Sequence, residues 1–430
     1  MRSRPGRIRI RPEETEQRML PGETMGGFSR RALLGAAGAG IVMTRRPVRA
    51  QQPLLRLGVM TDLSGPYSAA TGINCVKCTQ QAVKEFTGSH AMNIEVVVAD
   101  HQNKADVGAA IARQWCDQGG VDALVDVPSS AVALAVNGVV REKNKILLSS
   151  GAATADLTGK QCSPNTVAWT FDNYMLAKST GPAVVKAGGD RWFFVTADYV
   201  FGHQLEADTT RFVKEAGGTV LGSRVYPFPD TTDFSGMLVQ AQASGATVLA
   251  LANSGADSIN CIKQAREFGL TRTMRIAALA LWNPDMHAVG LELAQGLTLT
   301  ETYYWDLNSR TRSFMDRIKP QTPDLWPNAI QAGCYGAALH YLKTVADMGV
   351  AAAKMDGAAT MARMKAMPTD DDCFGPGRIR QDGRKLTPAY LFQVKTPAES
   401  TGPWDTSKVI ATIPAEQAFR PLSEGHCSLI

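Results

Sequence analysis

KILLSSGAATADLTG, residues 145–159, holds the reading that decides the fold. An apolar run over 146–148 stops abruptly at Ser149, Ser150, Gly151, Ala152, Ala153 and Thr154, which are small residues with hydroxyls and accessible backbone N–H groups. Such a junction is a strand-to-helix turn or a seat for an anion. Working outward, the same grammar repeats. A strand over 123–127 leads through DVPSSAV into a helix over 131–142, and a strand over 94–99 leads into a helix over 106–118. The first strand, 55–60, runs through TDLSGPYSAATG into a helix over 73–86. Each strand is a short apolar run without polar alternation, as expected where helices cover both faces of a parallel sheet.

The pattern then restarts. Strands over 191–196, 219–226, 248–251 and 275–279 alternate with helices over 203–216, 234–243 and 258–268, after a link near 170–177. A further change falls at 297–304, helices over 311–318 and 328–348 follow, and Asp382-Gly383 marks a hairpin turn near the end. Repeated β–α units of this kind predict α/β architecture with doubly wound parallel sheets. Two such sets facing one another leave a cleft, and ligands bind at the carboxyl ends of parallel strands. TDLSGPYSAATG, DVPSSAV and SSGAAT all follow strands and converge on that edge.

The chain has 430 residues, 44% of them hydrophobic and 20% charged, the balance of a folded protein larger than one ordinary core. Its formal charge of +5 misleads. Residues 1–50 carry eleven Arg against four Glu, which leaves 34 basic and 36 acidic residues beyond them and no footprint for nucleic acid. Within that leader, FSRRALLGAAGAGIVMTRRPVRA places Arg30 and Arg31 before an apolar stretch over 32–43, with Val48 and Ala50 at a cleavage-type position. Twelve weakly apolar residues are too few to span a bilayer, so the expectation is a twin-arginine export signal over 25–50, with Met25 as a start. An uncleaved anchor is the alternative. Export admits disulfides: Cys162 and Cys427 stand in polar, turn-like surroundings and form a candidate pair. Cys75 and Cys78, without a second Cys or His pair nearby, are weak evidence for zinc, and no metal site or cofactor is expected.

The order VMTDLSGPYSAATG, DVPSS, SSGAATADLTG, ADYVFGHQLE and NSGADSINCIKQAREFG resembles the leucine/isoleucine/valine-type periplasmic binding proteins, the type I solute receptors of ATP-driven importers. The resemblance covers essentially everything after the leader. It implies two Rossmann-like lobes joined by three crossovers, with 51–173 plus 301–386 in lobe one and 174–300 plus 387–430 in lobe two. It also implies a periplasmic monomer whose partners are a small carboxylate-bearing solute, a membrane permease and, through it, ATPase subunits.

A carboxylate removed from water must recover hydrogen bonds, and hydroxyls and N–H groups at helix N-termini supply them. Ser129 and Ser130 stand where a strand ends and a helix begins; an ordinary N-cap is the plain reading of Ser129. The resemblance implies that Ser129 and Thr154 grip the ligand carboxylate and that the Ala152 carbonyl faces an amino group. The first loop offers Tyr67 and Thr71; the second lobe offers Tyr199, Phe201, Asn253 and its neighbour Ser254. Phe201 matches an aromatic of the family that packs over the ligand, and Asp172 stands at the first crossover. Amino-acid binders of the family carry an acid after a later strand of lobe two, to balance the ligand ammonium. Here that stretch reads AALALWNPD, with Leu281–Trp282 at the aligned place and Asp285 expected to cap the next helix. The expected ligand is therefore an aromatic or other hydrophobic acid lacking an α-amine, walled by Trp282, Tyr303 and Tyr304, with a branched-chain amino acid or amide as the alternative.

Enzyme readings find little support. GxSxG, H-E-x-x-H, the phosphate-binding P-loop and the dinucleotide glycine pattern are all absent from the sequence, and its six His are scattered. A hydrolase would turn over esters and lose that activity in Ser129→Ala. A ligand sensor of the same fold is the second rival.

Overall fold

Short apolar runs become strands wherever helices can close over both faces. The computed structural model describes residues 53–430, so the leader over 1–50 and the export signal expected there lie outside the described residues. The first sheet is built from β1 (Leu55–Thr61), α1 (Gly72–Thr87), β2 (Ile94–Asp100), α2 (Ala105–Gln114), β3 (Ala123–Asp126), α3 (Ser130–Glu142), β4 (Ile146–Ser149) and β5 (Thr166–Ala168). Its strand order is β2-β1-β3-β4-β5, all parallel. Every residue of β3 and β4 is buried, whereas the edge strand β2 is only partly covered.

The second sheet begins after α4 (Asn173–Lys186). It takes β6 (Arg191–Ala197), α5 (Val200–Glu215), β7 (Thr219–Tyr226), α6 (Ser235–Ala243), β8 (Val248–Ala252), α7 (Ala256–Glu267), β9 (Arg275–Ala278), α8 (Asn283–Val289), α9 (Leu291–Ala294) and β10 (Thr298–Glu301). The chain then returns to pack α10 (Ser309–Ile318) and α11 (Ala329–Met348) on α1, followed by α12 (Val350–Met355), α13 (Gly357–Ala366) and a small antiparallel sheet of β11 (Thr369–Asp371), β12 (Gly375–Ile379) and β13 (Lys385–Leu386). Finally β14 (Ala389–Val394) and β15 (Ser407–Ile413) add antiparallel to the second sheet, whose order is β15-β14-β10-β9-β8-β6-β7. The Asp382-Gly383 turn forms, with Gly383 at φ +86° where a side chain would be strained.

The two sheets repeat one topology. In each, the first strand sits between the second and third, so the loops after β1, β3 and β4 answer those after β6, β8 and β9. That reversal of strand order opens a crevice at the carboxyl ends.

Three details differ from the sequence reading. The supposed link over 170–177 is mostly the start of α4, because Asp172 caps it by accepting from Met175 N at 2.9 Å. Helix α5 starts at Val200, which puts His203 inside it, paired with the exposed Asp198 at 2.8 Å. The residues after Pro414, expected with lobe two, turn back to the first sheet's side: Arg420 donates to Ala155 O at 2.8 Å, and Cys427 forms a disulfide with Cys162, their Cα atoms 5.6 Å apart. The other six cysteines are free thiols. No described helix is long and apolar enough to cross a membrane.

Candidate functional site

The loop after β1 is shaped by Asp62, whose carboxylate accepts from Gly65 N at 2.7 Å and Tyr67 N at 3.0 Å. Gly65 lies so close to that carboxylate that a Cβ would come within 2.5 Å of it. The turn delivers Tyr67 and Thr71 to the crevice, with the Thr71 hydroxyl donating to Tyr67 O at 2.9 Å. After β3, Pro128 leads into α3, and Ser130 Oγ accepts from Thr154 N at 3.2 Å. After β4 come Gly151 and Ala153. From the other half, Tyr199 and Phe201 follow β6, Ser254 follows β8 and Trp282 follows β9.

These side chains surround a cavity between the two sheets, completed by Ala70, Phe171 and Ile330. About 340 Å³ of space, part of it open to solvent, lies among these side chains. Phe171 and Trp282 form one wall, their rings 4.4 Å apart, and Trp282 Nε1 donates to Ser254 Oγ at 3.1 Å. Tyr199 stacks on Phe228 at 4.7 Å. The halves meet around the cavity: the Tyr67 and Tyr199 hydroxyls are 2.5 Å apart. Gln204 of α5 accepts from Thr154 Oγ1 at 2.8 Å and donates to Asp156 Oδ2 at 2.9 Å.

The electrostatics are those of hydroxyls and dipoles. Tyr67, Thr71, Ser130, Tyr199 and Ser254 line the cavity together with the N-terminus of α3, and no carboxylate, amine or guanidinium lines it among the described residues. Burial pushes the Tyr67 and Tyr199 phenols above their usual range, so both stay protonated donors. The nearby acids are engaged elsewhere. Asp285 caps α8 by accepting from Trp282 N at 3.0 Å, and burial pushes its carboxyl up to about 7. Asp257 accepts from Tyr226 Oη at 2.6 Å, and burial pushes it up to about 6.

Of the candidate residues, Tyr67, Thr71, Ser130, Tyr199, Phe201 and Trp282 line the cavity. Ser129 and Ala152 are sequence neighbours of lining residues but do not themselves line the cavity, and the Ser129 hydroxyl makes no cap bond and has no partner although buried. Thr154 bridges the halves rather than facing the cavity. Asp172 caps α4 and pairs with the fully buried Arg384 at 3.4 Å, and Asn253 accepts from Ser258 Oγ at 2.7 Å. The assignment of Tyr303 and Tyr304 to the apolar wall is corrected. Tyr303 is fully buried against Phe314 and Phe374 behind the site, and Tyr304 Oη donates to Trp404 O at 3.0 Å. Phe171 and Ile330 were missed. Phe171 lies in TFDN, which reads as a link, and Ile330 arrives from a helix with no local mark of the site.

Comparison with known proteins identifies the family and the fold. The sequence profile of a family described as periplasmic binding protein matches residues 55–402. A crystal structure of a periplasmic binding protein from Burkholderia mallei is 45% identical, covers 87% of this chain and 98% of its own, and superposes with a TM-score of 0.83. Another, an ABC-transporter solute-binding protein from R. palustris in complex with benzoate, is 19% identical over 84% of this chain and 97% of its own, with a TM-score of 0.75; at that identity it speaks to the fold alone. Among curated relatives, the Leu/Ile/Val-binding protein homolog 4 of Brucella abortus is 26% identical over 251 residues, 56% of this chain, and the match spans 57% of that relative's length.

Proposed function

The chain belongs to the periplasmic binding protein family, whose members bind substrates and are not enzymes, and from that premise we propose that it is the exported receptor of an ABC importer for a small aromatic or hydrophobic carboxylate without an α-amine. One observation carries the ligand class. The cavity presents five hydroxyls, a helix N-terminus and five aromatic side chains, two of them the tyrosines that carry hydroxyls, but no charged side chain. A carboxylate placed at Ser130 and the start of α3 recovers hydrogen bonds from donors that need no counter-cation. An ammonium in the same cavity would lack an anionic partner, a penalty of several kcal/mol.

In this reading the solute binds first between the loops after β1, β3 and β4. The second half then closes on it through Tyr67–Tyr199 and Thr154–Gln204. Closure excludes water from the rings and produces the shape that docks on the permease, where ATPase subunits power uptake. The twin-arginine leader delivers the folded receptor to the periplasm.

A thermal-shift screen followed by calorimetry tests the proposal. Benzoate- and cinnamate-like acids should raise the unfolding temperature by mass action, while leucine should not. Tight leucine binding with no response to aromatic acids would overturn the ligand class.

A further inference from the structure

Behind the wall formed by Pro128 and Gly151, four elements bring together donors that the ligand cavity does not use. Cys75 Sγ of α1, Cys334 Sγ of α11 and an oxygen of Asp126, at the end of β3, all lie within 4.8 Å of one another. Ser150, just after β4, adds a hydroxyl 3.1 Å from both Asp126 Oδ1 and Cys334 Sγ. All four residues are at most 1% exposed. Cys78, the other half of the C-x-x-C motif, is not part of this group. The C-x-x-C spacing joins Cys75 with Cys78, whereas this group joins Cys75 with Cys334.

The cluster is electrostatically incomplete. Asp126 Oδ2 is buried without a hydrogen-bond partner, and Asp62 adds a like charge nearby. Among the described residues no basic side chain reaches Asp126 by hydrogen bond or ion pair, although a buried carboxylate normally has such a partner. The backbone turns through left-handed geometry at Asp126 (φ +81°) and Val127 (φ +58°), which sends the carboxylate inward toward the thiols.

We infer that Cys75, Cys334 and Asp126, with the Ser150 hydroxyl as a weak fourth donor, form a binding site for a thiophilic divalent cation of the zinc class. Two sulfurs and a carboxylate oxygen suit a borderline-soft ion better than magnesium or calcium, which take all-oxygen shells. Zinc bonds of about 2.3 Å to sulfur and about 2.0–2.2 Å to oxygen place tetrahedral donors roughly 3.3–3.8 Å apart, so the group needs only a small contraction. Two thiolates and one carboxylate bring three negative charges to the ion's two positive ones, and binding releases the thiol protons to solvent. The ion would tie α1 and α11 to the strand ends that carry Pro128, Ser130 and Gly151.

The test is metal analysis of the full chain purified without chelator and dialysed against zinc, beside cobalt(II) reconstitution. About one zinc per chain is expected, with a near-ultraviolet thiolate-to-cobalt band, and Cys334→Ser and Asp126→Asn should each lower the zinc content several-fold. The cobalt spectrum of the unaltered protein decides the matter even if a variant fails to fold. Less than about a tenth of a zinc per chain with no thiolate–cobalt band would overturn the site. So would a Cys75–Cys334 disulfide found by mass spectrometry. Aromatic-acid binding is read separately by calorimetry, so neither result decides the ligand class.

Discussion

Gly255 offers a direct handle on closure. It lies between β8 and α7 at φ +62° and ψ −134°, and a Cβ there would stand 2.6 Å from Pro66 O and 3.2 Å from Tyr67 Cδ1, both in the β1 loop across the cavity. Gly255→Ala therefore has two separable costs. The left-handed backbone costs about 1–2 kcal/mol wherever it occurs. The clash with a backbone oxygen arises only when the halves meet, and a methyl forced into a packed interface costs about 1–3 kcal/mol. Because separation of the halves relieves it, this second cost falls on the closed form. It should weaken ligand affinity roughly 5- to 150-fold, at about 1.4 kcal/mol per decade. Gly290→Ala is the control: its φ is +83°, but nothing lies within 4 Å of its Cβ position. Calorimetric titration with an aromatic acid, thermal unfolding and small-angle scattering read the outcome. Both variants should lose a few degrees of stability, but only Gly255→Ala should lose affinity and populate a larger radius. Unchanged affinity in Gly255→Ala, or an equal loss in Gly290→Ala, would refute the reasoning.

Tyr67 and Tyr199 share one short hydrogen bond across the halves, so Tyr67→Phe and Tyr199→Phe should each weaken binding, and the double variant should lose about 1 kcal/mol less than the sum of the two. Additive losses in the binding cycle would show that the hydroxyls act independently. His340 is buried with Nε2 donating to Met364 O at 2.9 Å, and burial lowers its pKa to about 4. The fold holds the neutral ring, so this contribution is full above about pH 6.5 and is lost as pH falls toward 4, by up to about 3 kcal/mol. His340→Gln should flatten that part of the denaturation profile relative to the unaltered protein, and identical slopes would contradict the assignment.

The fold was legible because it rests on local signals. Runs such as 146–148 and 248–251 are apolar without alternation, and each is followed by small residues that can only turn. Chain reversal was also visible in Asp382-Gly383, where the backbone needs a residue without a side chain. What the sequence did not reveal was where packing overrides a turn-like reading. TFDN looked like a linker, yet Asp172 is a cap, and a cap is recognisable only once the helix behind it is. Tyr303 and Tyr304 were assigned to the cavity because aromatics after a late strand are ambiguous: the same residues suit a ligand wall or a core, and only the position of α10 and Trp404 settles it.

The cavity and the buried cluster behind it were legible to different degrees for a physical reason. Hydroxyls at strand ends announce themselves, because SSGAAT and DVPSS break apolar runs at places where the sheet topology must expose them. Cys75, Asp126, Ser150 and Cys334 carry no such mark, since they come from four separate elements and each is unremarkable where it stands. Cys75 even suggests the wrong partner, Cys78, one helical turn away. The parallel sheet joins the two sets. Ser130 faces the cavity at the start of α3, while Asp126, four residues earlier on the same loop, faces the thiols. One backbone turn thus serves both. An ion fixing Asp126 would restrain the seat of the carboxylate, so zinc loading should sharpen aromatic-acid affinity even though no metal ligand touches the solute.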